Sequence, residues 1–140
     1  MLEKIKSIIE QANADYVVEY DEGNMFNIRA DAFTRGTKYA YIEEFKEGEI
    51  DMQGFFEKDK LRLNLYFSVI PEEELNAIGR EQVREEIKRE IVKPFIKEFL
   101  SSSYFTSNKV FKYYYPLSRF DANEISVMLD FECELIENNC

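Results

Sequence analysis

The side chains that could carry chemistry in this 140-residue sequence are 28 carboxylates, nine tyrosines and two cysteines, with no histidine and no tryptophan. A catalytic nucleophile needs a base held beside it, and histidine is the usual one, so the common triads are missing from the outset. Carboxylate pairs could still move protons. Glu43–Glu44 and Glu132/Glu134 are close enough in sequence, but neighbouring carboxylates are unavoidable in so acidic a chain, and both pairs read as solvated strand faces. Metal and phosphate chemistry have no firmer basis. YDEGN at 20–24 combines two carboxylates and a turn glycine without the alternating oxygen ligands of a calcium loop, and TRGTK at 34–38 lacks the spacing of a phosphate loop. Cys133 and Cys140 have no CxxC spacing. Cys133 falls on the apolar side of a strand as a small core residue, and Cys140 reads as a loose terminal thiol. These residues predict no enzyme, no metal site and no cofactor.

Two other constellations concern surfaces. In KVFKYYYPLSRF, residues 109–120, a strand would turn Phe111, Tyr113 and Tyr115 to one side and Val110, Lys112 and Tyr114 to the other. One core face cannot take all of these rings. They either cover the sheet with their hydroxyls in water, or join the following loop in a contact between chains, for which Tyr114, Arg119 and Phe120 are the candidates. Stacking on a sugar or a base is a third use. In EISVMLDFECELIE, residues 124–137, Ile125, Val127, Leu129, Phe131, Cys133 and Leu135 alternate with Glu124, Ser126, Met128, Asp130, Glu132 and Glu134. That is one core face and one acidic face, either merely solvated or a negative row with a task.

The elements that must position these residues follow from periodicity. Leu2, Ile5, Ile8, Ile9 and Ala12 recur at helical spacing and predict a helix over about 2–13. YVVEY reads as a short strand and DEGN as a turn; residues 25–37 show no regular period and end in an Arg35–Gly36 turn. KYAYIEEF and EIDMQGFF flank KEG, which predicts a hairpin loop. KLRLNLYFSVI alternates strictly over eleven residues, so it has one buried face. Val83, Ile87, Ile91, Phe95 and Phe99 predict a long amphipathic helix over about 80–100, with Pro94 removing the hydrogen bond to the Glu90 carbonyl and bending it. The order is helix, meander, long helix, hairpin. It predicts a single domain over 1–140 of the α+β class: a two-layer sandwich whose mostly antiparallel sheet, a meander plus a C-terminal hairpin, carries two helices on one face.

The net charge is −10, with 18 basic residues against 28 acidic ones, which argues against wrapping a nucleic acid. No run of 18 apolar residues suggests a membrane span, and the amphipathic start lacks the features of a secretion signal, so the expected place is the cytosol or release by lysis. In order and texture, the YAYIEEFKEGEIDMQGFFEKDKLRLNLYFSVI stretch, the helix running into EIVKPFIKEFL and the closing YYYPLSRFDANEISVMLDFECELIE together resemble the tail-terminator and tail-completion proteins of tailed bacteriophages. The resemblance spans about residues 38–136. It implies a non-enzymatic virion component at the head–tail junction, made in the bacterial host cytoplasm and assembled as a homo-oligomeric ring, a hexamer, beside tail-tube and neck proteins. It also gives the acidic face a use: Asp130, Glu132 and Glu134 would line a lumen through which DNA passes without specific binding. An acidic inhibitor or immunity-type protein that blocks a basic protein partner is the alternative.

Overall fold

The structure, a computed structural model, describes residues 2–20, 36–43, 47–52, 58–107, 109–116 and 124–135. Its centre is a pair of long antiparallel strands, β4 (Lys58–Val69) and β7 (Ile125–Leu135), the two segments with the strictest alternation. Direct pairing puts Leu61 opposite Cys133, Leu63 opposite Phe131, Leu65 opposite Leu129, Phe67 opposite Val127 and Val69 opposite Ile125. Residues opposite each other share a face, so this register makes one continuous apolar surface.

Shorter strands extend the pair on both sides. β2 (Lys38–Ile42) pairs with the last part of β4, and β3 (Glu47–Asp51) with its first part. β5 (Phe105–Thr106) and β6 (Lys112–Tyr114) likewise share the far edge of β7. β1 (Val17–Tyr20) adds to β2 in parallel, which makes the sheet mixed while leaving it mostly antiparallel. The hairpin expected around KEG is not formed: β2 and β3 both pair with β4, and Gly48 lies inside β3 opposite Leu61. Both segments have the composition of strands that could pair with each other, but β4 is long enough to take them end to end. Gly36 precedes β2 at φ +86°, a left-handed conformation suited to glycine, and its amide donates to the Ile70 carbonyl at 2.7 Å. The rest of the irregular segment over 25–37 lies outside the described residues apart from Thr37.

The helices cover the apolar face, as the periodicity predicts. α1 (Leu2–Ala12) buries Ile5, Ile8 and Ile9. A second helical run is α2 (Ala77–Ile87), a π turn (Lys88–Val92) and α3 (Lys93–Ser101), and it buries Ile87, Ile91, Val92, Phe95 and Phe99. Asn76 caps α2 by accepting from the Gly79 amide at 2.8 Å. Inside the core, the Phe95 ring lies 5.9 Å from Phe67 and 6.0 Å from Phe131, while Phe99 lies 5.0 Å from Phe131 and 5.2 Å from Phe105. These rings hold helix to sheet through offset and edge contacts that aromatic pairs favour.

Pro94 explains the π turn. Its missing N–H strands the Glu90 carbonyl, and its ring crowds that same carbonyl. The helix responds one turn earlier by widening, with the Lys93 amide donating to the Lys88 carbonyl five residues back. The stranded carbonyl then accepts from the Asn13 side-chain amide at 3.1 Å. Asn13 also ends α1, its backbone N–H donating to Ile9 O at 3.0 Å and its Oδ1 accepting from the Asp15 amide at 3.0 Å. One side chain thus closes the first helix and mends the second. Asn13→Ala is expected to cost about 1–3 kcal/mol in urea unfolding. In a Pro94→Ala background, where residue 94 regains an amide for Glu90, that cost is expected to fall by about 1 kcal/mol. Equal costs in both backgrounds would show that Asn13 acts elsewhere.

Candidate interaction surface

The tyrosine run forms the outer edge of the sheet. β6 pairs with β7 alone among the described residues, setting Lys112 opposite Asp130, Tyr113 opposite Leu129 and Tyr114 opposite Met128. The alternation therefore holds as read from sequence: Phe111 enters the core beside Phe131, 5.0 Å between centroids. Tyr113 follows it on the helix side but lies beyond the core, and Tyr114 turns away. All three tyrosines are substantially exposed, at 49%, 46% and 42% for Tyr113, Tyr114 and Tyr115.

Exposed rings are usually mobile, but two of these are braced. Tyr113 and Tyr115 lie 5.6 Å apart. The Lys88 ammonium sits 4.8 Å from the first ring and 5.5 Å from the second, and the Arg84 guanidinium lies 5.1 Å from Tyr115. Lys88 also contacts the Glu85 carboxylate at 2.7 Å. Hydrogen bonding to Glu85, then to Tyr115, holds this ammonium above the ordinary lysine range, so it remains a cation under the rings. The predicted contact residue Tyr114 is thus exposed as expected; Arg119 and Phe120 lie outside the described residues.

The sheet face away from the helices departs from expectation. Asp130, placed by sequence at the centre of an open acidic row, is only 8% exposed. Its two oxygens accept from Arg62 Nε at 3.0 Å and Nη2 at 2.7 Å, a forked pair reaching diagonally across β4 and β7. Glu132 stands opposite Arg62 and is exposed; Glu134 stands opposite Lys60 and is half-buried. The row is therefore interleaved with cations from the neighbouring strand and is not self-repulsive. Glu43 and Glu124 are buried as well, which corrects their reading as solvated. Glu43 accepts from Asn64 at 3.2 Å, and the Ser68 and Ser126 hydroxyls meet at 2.6 Å. Glu44 is outside the described residues.

Burial also decides the chemistry of the remaining candidates. Cys133 is buried, and desolvation, with the Glu134 charge adding to it, pushes its thiol up to about 12. It is no nucleophile at neutral pH. Desolvation first, then the Glu124 charge, raises the Tyr39 phenol well above its ordinary value, with a Ser68 hydrogen bond opposing. Among the described residues no group of three or more acidic or cysteine side chains could hold a metal, and no helix is long and apolar enough to cross a membrane.

Sequence reasoning missed a groove on the opposite flank of α2. It is an open cavity of about 340 Å³ with Val69, Leu75, Val83 and Ile87 as floor and Glu72, Glu73, Glu86 and Glu90 as rim, alongside Lys38 and Pro71. Lys38 bonds Glu90 at 3.1 Å. The available signals were the PEEEL run and the i,i+4 spacing of Glu86 and Glu90. Comparison with protein-family models and with curated proteins finds no match to this chain.

Two predictions follow from burial. Asp130→Asn is expected to cost about 1.5–3 kcal/mol, because a charge-assisted fork is lost, while Glu132→Gln stays within about 0.5 kcal/mol; similar losses at both positions would contradict the paired and open assignments. In a Cys140→Ser chain, whose one thiol is Cys133, iodoacetamide at pH 8.5 is expected to react only on unfolding. The folded thiol titrates near 12 and an unfolded one near about 8.5, so this group favours the folded state below about pH 8.5 and loses that contribution as pH rises towards 12. Rapid alkylation of the folded chain would refute this.

Proposed function

We propose that this protein is a non-enzymatic structural subunit that assembles into a ring, in the manner of a tail terminator or neighbouring neck component of a tailed phage particle. The observation that carries the reading is the braced tyrosine edge. Three exposed aromatics on and just after an edge strand, two of them held against Arg84 and Lys88, have the composition of an interface centre. Tyr113 and Tyr115 are already held against each other and against Lys88, so these two lose little conformational entropy on contact. The α+β architecture and the sequence texture support the same reading. In the ring, Glu132 and Glu134 border a lumen that DNA traverses without capture, while Asp130 serves inside the subunit as the partner of Arg62.

The acidic groove beside α2 favours a second reading, an inhibitor that takes up a basic partner as a monomer or dimer. Light scattering combined with negative-stain imaging of the full chain separates the two. The expected result is closed rings with a mass about six times the 16.7 kDa of one chain. A monomer at every concentration would overturn the ring.

A further inference from the structure

We draw no further inference here: the strongest candidate, the open groove beside α2 floored by Val69, Leu75, Val83 and Ile87, already has Glu90 at its rim bonded to Lys38, and nothing in the structure shows what covers its apolar floor.

Discussion

The β4–β7 register is the constraint on which the rest of the molecule depends. Ten residue pairs, from Lys60 with Glu134 to Val69 with Ile125, fix both faces of the sheet at once. On the helix side they stack five apolar pairs into the floor on which α1 and the α2–α3 run settle. On the other side the same register sets Lys60 against Glu134 and Arg62 against Glu132, and brings Arg62 within reach of Asp130. A slip of one residue would turn the apolar set outward and the charges inward. Apolar burial and cross-strand charge therefore specify one alignment together, and β2, β3, β5 and β6 find their places along edges already defined.

How much of this was legible depended on whether the information was local. Alternation in KLRLNLYFSVI and EISVMLDFECEL, and the four-residue spacing of Ile87, Ile91, Phe95 and Phe99, identify elements and inward faces without ambiguity, because both periods are properties of the backbone itself. The alternation of Phe111, Tyr113 and Tyr114 was readable for the same reason. Partner choice was not. Nothing inside KYAYI or EGEID distinguishes pairing with each other from pairing in line along β4, since that choice is made by the length of a third strand. The depth of Asp130 was hidden likewise: period two tells which side a residue faces, and only the diagonal neighbour Arg62 tells that the side is closed there. Pro94 announced a defect in its helix, but its repair comes from Asn13, 81 positions away in sequence, and no local pattern reports that.

Charge in this chain is arranged locally in ways its net value does not report. Arg84 and Lys88 lie against tyrosine rings with Glu85 bonded to Lys88, while Glu86 and Glu90 line an apolar hollow with Lys38 bonded to Glu90. A net charge of −10 describes how the whole molecule behaves at a distance, beyond the screening length of about 8–10 Å. At contact range local pairs replace that average: Lys88 bonds Glu85 beneath the tyrosine rings, Lys38 bonds Glu90 beside the groove, and Arg62 holds Asp130.

The order of elements along the chain has a consequence for biosynthesis. β7, half of the central pair, follows every other described element, and β4 is complete at Val69 while β7 begins at Ile125. Translation at about 5–20 residues per second separates the two by seconds, during which the nascent β4 presents an unpaired edge and an apolar face. The α2–α3 run emerges in that interval and offers the first cover for the face, but nothing made before β7 satisfies that edge of β4. A ribosome stalled between the two strands would therefore release a chain whose longest apolar strand is half-dressed, the kind of intermediate that chaperones hold and proteases remove.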